Sequence, residues 1–392
     1  MSTRVFIVCG EPSGDHLGAG LMRAMQRREG HDFAFSGVGG PAMEAAGFTP
    51  LFPLDEITVM GPLAIAKAYR RLRRRALECV AAGVAANPDL VIIIDAPEFT
   101  HPVAKRIRKQ RPDIPIVDYV SPTVWAWRPG RAAKMRAYVD HVLALLPFEP
   151  AAHARLGGPP CTYVGHPLVE RRGEIRGLDA QPLLRRLGLA RDERILVVLP
   201  GSRSGEVARL LPAFGETVAR LRASAPPFSV IIPAVTRHEA AIRKAAADWD
   251  GPVHVVTGEA DKWQTFHLAT AALAASGTVT LELGVAGVPM VVAYKVDPLA
   301  AQLRFLVNVP SIVLANLVLD ERAFPEFIQQ DCNAATLAGA VAPLLSETPA
   351  RRAQLGALER LDARIVAGVE SPSEAATDVV LDVLAGRSAG GC

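Results

Sequence analysis

One aspartate stands where an apolar segment of the chain ends. Asp95 closes the run LVIIID (90–95), and Glu98 follows three residues later, beyond Pro97. A carboxylate at the carboxyl end of a buried strand faces the edge at which open α/β sheets bind ligands, and there it can act as a general base. The alternative is that Asp95 caps the next loop. Glu98 is the weaker candidate because it lies further into that loop.

A turn in the second half of the chain combines glycine with groups that bind anions. In LPGSRSGEV (199–207), Gly201 lets the backbone approach an anion, and the N–H groups that follow, beginning with Ser202, point outward. Arg203 adds a planar fork of donors suited to phosphate oxygens. The alternative is an ordinary strand-to-helix turn with a solvated arginine.

A second turn of this kind occurs in ASGTVTLELG (275–284). Ser276, Gly277 and Thr278 open a helix after a strand, and Glu282 follows one helical turn later. A glutamate there can accept hydrogen bonds from a ribose diol, although the helix dipole alone would also favour it. Together the two turns predict a nucleoside diphosphate site. Neither is a Walker loop or a G-x-G-x-x-G motif, which disfavours ATP hydrolysis and NAD binding.

Strand-like and helical segments alternate along the chain and would position these turns. Apolar runs recur at 5–8, 90–95, 115–120, 141–146 and 161–164, and again at 194–199, 228–233, 253–256, 271–276 and 289–294. Such alternation predicts an α/β class with parallel sheets. We expect two doubly wound, Rossmann-like domains facing each other across a cleft, residues 1–168 and 182–368. The polar stretch 170–181 is the candidate linker, and a C-terminal helix and tail would occupy 369–392.

Composition argues against several classes of function. The 43 basic and 40 acidic residues leave a net charge of +3, which is too small to indicate nucleic-acid binding. The five cysteines are scattered without a C-x-x-C pair, which argues against a zinc site and suits a reducing compartment. No apolar run reaches the roughly 18 to 20 residues that span a bilayer. We therefore expect a cytoplasmic protein that needs no metal or other cofactor.

The segment that begins at Pro62 predicts a basic amphipathic helix. Its apolar stripe comprises Ile65, Ala68, Tyr69, Leu72, Ala76, Cys79 and Val80, and its basic residues are Lys67, Arg70, Arg71, Arg73, Arg74 and Arg75. Such a helix can lie on an anionic membrane surface. The alternative is that it buries its stripe in its own domain and leaves its charges in water. Two further aromatic residues, Trp125 and Trp127, are either core residues or a platform for a sugar or acyl chain.

Several of these segments together resemble the bacterial lipid-A-disaccharide synthase family. They follow the order of that family's motifs and span most of the chain: GEPSGDHLGAGL, IDAPEF, YVSPTVWAWRPGR, LLPFEP, YVGHPL, LPGSRSGEV, ASGTVTLELGVAGVPMVVAYK and NLVLDERAFPEFIQQDC. The motifs SGD-x-LGA and SP-x-VWAWR are restrictive, whereas LPGSR and SGT-x-x-LE occur more widely in proteins that bind sugar nucleotides.

The resemblance implies an inverting glycosyltransferase with the GT-B architecture, peripheral on the cytoplasmic face of the inner membrane. Such an enzyme joins UDP-2,3-diacylglucosamine to 2,3-diacylglucosamine 1-phosphate, forms a β(1→6) disaccharide and releases UDP. By position, Asp95 and Arg203 match essential residues of the family, and Ser276, Gly277, Thr278 and Glu282 fall in its donor motif. Asn316 matches an asparagine near the cleft. Pro12, Glu98 and Ala315 depart from the family pattern.

Under this interpretation the first glycine-rich turn, CGEPSGDHLGAG (9–20), lies on the acceptor side. Ser13 would donate to a sugar hydroxyl or to the acceptor's phosphate, and Asp15 would favour the helix's positive end. Gly14, Gly18 and Gly20 would let the helix begin close to the cleft. The alternative is a structural helix start.

Two other classes of function stay open at this point: a UDP-N-acetylglucosamine 2-epimerase of the same architecture, and a nonenzymatic nucleotide-binding module at a membrane surface. The residues also leave open a homodimer, since the C-terminal helix 371–386 can fold back or swap to another chain.

Overall fold

The structure, a computed structural model, describes residues 2–58, 62–296 and 309–386, and of residues 62–67 it describes the backbone alone. The chain forms two compact units. The first comprises the residues up to Pro167 together with the C-terminal segment from Gly368, and the second comprises Leu168–Ala367.

The first unit is built on a parallel six-stranded sheet. Its strands are β1 (Thr3–Cys9), β2 (Phe33–Val38), β3 (Leu90–Ile94), β4 (Ile116–Tyr119), β5 (His141–Ala144) and β6 (Cys161–Tyr163), which lie side by side in the order β2-β1-β3-β4-β5-β6. Strands β3, β4 and β5 are fully buried, and β1 is buried from Val5 onward, as expected for a parallel sheet covered by helices on both faces. The helices are α1 (Pro12–Gln26), α2 (Pro41–Glu44), α3 (Pro62–Ala85), α4 (Pro97–Gln110), α5 (Gly130–Met135) and α6 (Glu149–Arg155).

The second unit contains another parallel six-stranded sheet. Its strands are β7 (Ile195–Leu199), β8 (Ser229–Ala234), β9 (Val253–Thr257), β10 (Ala271–Ala275), β11 (Met290–Tyr294) and β12 (Glu326–Ile328), which lie side by side in the order β12-β11-β10-β7-β8-β9. Its helices are α7 (Leu168–Arg176), α8 (Gln181–Leu187), α9 (Ser204–Ser224), α10 (Glu239–Ala246), α11 (Glu259–Leu268), α12 (Val279–Val285), α13 (Leu314–Leu319), α14 (Ala334–Val341) and α15 (Pro349–Val366).

The predicted α/β class with doubly wound parallel sheets is confirmed. Each predicted apolar run contains a strand, whereas β2 and β12 lack such a run and were not predicted. Both of these strands lie at a sheet edge and are partly exposed, so their sequences need not be continuously apolar. Buried strands can therefore be predicted from apolar runs in the sequence, whereas partly exposed edge strands cannot.

The predicted linker and the predicted C-terminal helix are both packed against the body of a unit. Part of the predicted linker forms α7, where Arg172 donates to Asp362 of α15 at 2.6 and 2.8 Å. The C-terminal helix α16 (Pro372–Leu384) returns to the first unit, where Arg27, the residue that follows α1, pairs with Glu374 at 2.6 Å. Ala376 and Val380 of α16 are fully buried in that unit's core.

Candidate functional site

The order of the strands reverses at one point in each sheet, and this determines which turns lie together. In the second unit the chain runs outward from β7 through β8 to β9, then returns to β10 on the other side of β7. In the first unit the reversal lies between β1 and β3. Ligands of doubly wound folds bind outside the carboxyl ends of the strands at this switch point. The turns after β7 and β10, and those after β1 and β3, are therefore the expected sites.

A cavity of about 370 Å³ opens at the switch point of the second unit. The turn after β7 contributes Gly201, Ser202 and Arg203, and the turn after β10 with the start of α12 contributes Ser276, Gly277, Thr278 and Glu282. All seven predicted donor-binding residues thus border one cavity. Glu206, Pro233, Val235 and Lys262 also line it.

The turn after β7 differs from the expectation in one respect. The N–H groups of Ser202 and Arg203 both donate to Glu206 at 3.2 Å, so the protein's own carboxylate occupies the place expected for an anion. Gly201 makes this possible: its φ is +107°, and a Cβ there would lie 2.6 Å from the Glu206 carboxylate. Arg203 pairs with the same carboxylate at 3.1 Å, but its side chain is 70% exposed and has further donors for a ligand.

The turn after β10 is held by contacts that the sequence did not reveal. Ser276 donates its hydroxyl to the carbonyl of Ile312 at 2.6 Å, which fixes the turn against a neighbouring loop. Gly277 has a φ of +145°, which disfavours any residue with a Cβ. Glu282 accepts from the ammonium of Lys262 at 3.0 Å. Lys262 is therefore a cavity residue that sequence reasoning missed, because it belongs to α11 and carries no motif.

At the switch point of the first unit, Asp95 meets the turn that follows β1. Its carboxylate accepts a hydrogen bond from the Ser13 hydroxyl at 3.3 Å and from the Ala96 N–H at 2.7 Å. Asp95 and Ala96 both have left-handed backbone angles, with φ of +52° and +44°. Gly10 allows the two turns to touch, since a Cβ on it would lie 2.4 Å from the Ala96 Cβ. The structure thus brings together Ser13 and the predicted base.

The other two residues predicted for this turn have structural roles. Asp15 is buried, and its carboxylate accepts from the N–H groups of Gly40, Ala42 and Met43 at 2.9–3.0 Å. It therefore holds the start of α2 and is not directed at a ligand. Gly14 lies against β1 and β3, where a Cβ added to it would stand 3.1 Å from the Cys9 side chain. The Asp15 carboxylate therefore caps the N-terminus of α2 within the same unit.

Asn316 also differs from its predicted role near the cleft. Its side chain is buried, donates to the carbonyl of Phe324 at 2.9 Å and accepts from the Phe324 N–H at 2.9 Å. A third bond runs to the Ser311 hydroxyl at 3.3 Å. The amide is used within the second unit, where it ties α13 to the segment before β12.

The tryptophans of the WAWR motif have different environments. Trp125 is partly buried, packs edge-on against Phe148 at 5.1 Å and donates to Glu149 at 3.1 Å, so its ring is held by contacts within the first unit. Burial raises the pKa of Glu149 to about 7, against the effect of the N–H groups from which it accepts. Trp127 is partly exposed and has the Arg128 guanidinium 5.5 Å from its ring.

The predicted membrane-docking residues lie on α3 and divide into two groups. Tyr69 is 63% exposed, and Arg73 and Arg74 are exposed beside it. Leu72 packs partly against the core. Arg75 differs from the prediction, because it pairs with Glu56 and Glu78 at 2.6 Å and lies over the ring of Phe52 at 4.7 Å. The Ile65 side chain lies outside the described residues.

The described residues were also searched for membrane-spanning helices and for clusters of metal ligands. No helix within 2–58, 62–296 and 309–386 is long and apolar enough to cross a membrane. Over the same residues, no three or more His, Cys, Asp or Glu side chains cluster in a way that would hold a metal ion.

Comparison with known proteins places these features in a family. Residues 5–377 match the family model described as lipid-A-disaccharide synthetase. A lipid-A-disaccharide synthase of Nitrobacter winogradskyi is 49% identical, covering 98% of this chain and 96% of that protein. That of Rhodospirillum centenum is 42% identical, covering 98% and 95%.

Solved structures with the same fold are more distant in sequence. The UDP-GlcNAc 2-epimerase of Neisseria meningitidis, solved with UDP-GlcNAc, has a TM-score of 0.63 at 11% identity, covering 98% of this chain and all of that one. A glycosyltransferase of Rickettsia africae has a TM-score of 0.63 at 11% identity, covering 100% and 99%. These likenesses confirm the predicted GT-B fold class and do not by themselves distinguish a transferase from an epimerase.

Proposed function

The chain belongs to the lipid-A-disaccharide synthase family, and on that premise we propose the reaction and the residues that carry it out. The donor is UDP-2,3-diacylglucosamine and the acceptor is 2,3-diacylglucosamine 1-phosphate. The products are a tetraacyl β(1→6) disaccharide 1-phosphate and UDP. The observation that carries the residue assignments is the single cavity bordered by all seven predicted donor-binding residues.

In the proposed donor site, Arg203 contacts the diphosphate and Glu282 accepts from the ribose hydroxyls. Arg203 keeps free donors beyond its bond to Glu206, because a guanidinium has five N–H groups. The bond from Lys262 fixes the position of the Glu282 carboxylate and leaves it further lone pairs for a diol. Since Glu206 already accepts from the turn's N–H groups, the diphosphate would depend on Arg203 more than on the backbone.

In the proposed reaction, Asp95 is the general base. It removes the proton of the acceptor's 6-hydroxyl as that oxygen attacks the anomeric carbon of the donor. The bond from this carbon to the diphosphate oxygen breaks, and the electron pair leaves with UDP, so one displacement inverts α to β. Ser13 and the Ala96 N–H each use one lone pair of the carboxylate, which leaves others for the incoming hydroxyl.

We further propose that the enzyme works at the cytoplasmic face of the inner membrane. Both substrates carry acyl chains, so a protein must take them from a bilayer surface. Tyr69, Arg70, Arg73, Arg74 and Leu77 are exposed on α3 at spacings of three and four residues, which gives one face. This exposed face combines cations with apolar groups, as interfacial helices do. Arg75 is not part of it, because its charge is paired internally.

The test is to incubate the enzyme with the UDP-sugar, first alone and then with the acylated acceptor. The proposal predicts disaccharide and UDP only when the acceptor is present. An epimerised sugar nucleotide formed without acceptor would support the epimerase alternative. UDP-sugar binding without turnover in either mixture would support a binding module.

A further inference from the structure

A second cavity of about 370 Å³ lies in the first unit, between α4 and the segment that leads into α5. Four cationic side chains and only one carboxylate line it. The cations are Lys105, Arg128, Arg131 and Lys134, the carboxylate is Glu98, and the ring of Tyr138 also lines the cavity. Neither the donor site nor the proposed base accounts for this cavity, although two of its arginines belong to the motif WAWRPGR.

The cations of this cavity are largely unneutralised. Arg131 pairs with Glu98 at 2.7 Å, but the Glu98 side chain is 79% exposed, so solvent weakens that pair. Among the described residues, no carboxylate lies within ion-pair distance of Lys105, Arg128 or Lys134. These three side chains are exposed around a concave surface, and like charges held together in this way favour an anionic ligand.

The floor of the cavity is ordered by buried groups. His101 shares a hydrogen bond of 2.9 Å with the hydroxyl of Tyr138, and its other ring nitrogen lies 3.3 Å from Asp118. Lys105 lies over the Tyr138 ring at 4.8 Å. Arg128 has a left-handed φ of +54°, which directs the chain sharply before α5. The cationic side chains therefore project from α4, α5 and the segment before α5, whose backbone is held in place, as a specific site requires.

We propose that this cavity binds the phosphate monoester of the acceptor. The inference rests on the proposed function, which supplies a sugar with a phosphate at carbon 1 and the reacting hydroxyl at carbon 6. In the pyranose ring, carbon 1 and carbon 5, which carries carbon 6, are both bonded to the ring oxygen. The phosphate therefore lies close to the reacting hydroxyl but on a different carbon, so it must bind beside the base and not on it. Pro97 and Glu98 line the cavity from the first turn of α4, immediately after Asp95 and Ala96. Arginine forks and lysines are the side chains that bind phosphate.

The experiment compares two acceptors that differ only at carbon 1, one with phosphate and one with a methoxy group. Both are presented in the same detergent micelles, and kcat/KM is measured for the wild type and for R128Q/K134Q. The double substitution should lower kcat/KM for the phosphorylated acceptor by about tenfold or more, as expected for lost charge-assisted bonds. Activity on the methoxy acceptor should change little, so the preference for phosphate should collapse.

Arg136→Gln is the matched control, because Arg136 is exposed on the same segment and does not line the cavity. It should keep the wild-type preference, and UDP affinity should be unchanged in all variants. An unchanged phosphate preference in R128Q/K134Q would overturn the inference while leaving the proposed function intact. Loss of sedimentation with phosphatidylglycerol vesicles at unchanged acceptor preference would also overturn it, by assigning the cations to lipid headgroups. A wild type that forms no disaccharide from either acceptor would instead remove the proposed function.

Discussion

Asp95 combines backbone strain with a fixed side chain. Two consecutive non-glycine residues in the left-handed region are unfavourable, at about 1–3 kcal/mol each, and persist only where surrounding contacts enforce them. Here the enforcing contacts are the Asp95 N–H bond to the Tyr119 carbonyl at 3.0 Å and the close approach of Gly10. Strained backbone of this kind is found most often at functional sites. The strain is therefore an independent argument for Asp95 as the functional residue of this turn.

Replacement of Asp95 by asparagine tests the proposed base. Asparagine has the same shape, can accept from the Ala96 N–H and can donate to Ser13, so the turn should survive. It cannot accept a proton, and kcat should fall about 10²–10⁴-fold, the usual contribution of a positioned base. The measurement is turnover with both acylated substrates, with calorimetric UDP affinity as the control for folding. Turnover within a few-fold of the wild type would remove Asp95 from this role.

Glu149 predicts a pH dependence of stability. Burial raises its pKa from 4.5 to about 7, so the folded protein holds a proton that the unfolded chain has released between these values. The free energy of unfolding should therefore decrease as pH rises from about 4.5 to 7, by about 3 kcal/mol at 1.36 kcal/mol per pH unit. Glu149→Gln stays neutral and should lose this decrease. The measurement is the free energy of unfolding of the wild type and of Glu149→Gln, obtained from denaturant titrations at several pH values. If the two proteins lost stability in parallel between pH 4.5 and 7, Glu149 would not be the cause.

At the scale of elements, the same arrangement occurs in both units. The proposed ligand groups follow the two strands at which the sheet order reverses, β7 and β10 in one unit and β1 and β3 in the other. Parallel pairing places the ends of these strands together: Leu199 lies opposite Ala274, and Cys9 lies opposite Ile94. The sheet therefore sets the distance between turns that are far apart in sequence.

This explains which parts of the site could be predicted from sequence. The turns were found because they follow continuous apolar runs, and glycine marks where the backbone needs left-handed angles, as at Gly201 and Gly277. The partners of polar side chains depend on tertiary contacts, which one sequence does not display. Asp15, Asn316 and Glu206 therefore looked available for ligands or were overlooked, yet each is used within the protein.

Helix α3 carries a prediction about membrane binding. Charge reversal at Arg73 and Arg74 removes two exposed cations, each worth about 1 kcal/mol near an anionic surface. R73E/R74E should therefore sediment at least about tenfold less with phosphatidylglycerol vesicles, while turnover in detergent micelles should be retained. Reversal of Arg185 and Arg352, exposed cations of the second unit, provides the charge-matched control. Equal loss in both variants would show that net charge, and not α3, governs binding.

At the scale of the whole molecule, the chain crosses between units twice. It leaves the first unit after Pro167 and returns at Gly368, so the core of the first unit is completed by the last part of the chain. Helix α16 contributes the buried Ala376 and Val380, and its Glu374 and Asp378 pair with Arg28, just after α1, at 3.2 and 2.5 Å. The stability of the first unit should thus depend on a helix that the whole second unit separates from its other elements in sequence.

A chain that ends at Ala367 tests this dependence. Removal of α16 exposes apolar surface on α1 and the sheet, and loss of buried side chains worth about 1.5–3 kcal/mol each should lower the thermal transition of the first unit by at least about 5 °C. The second unit keeps all its elements, so UDP affinity should be unchanged, which serves as the internal control. Hydrogen exchange resolves the two units: protection should fall in β1 and β3 and persist in β7 and β10. Unaltered protection in β1 and β3 would mean that the first unit is complete without its C-terminal helix.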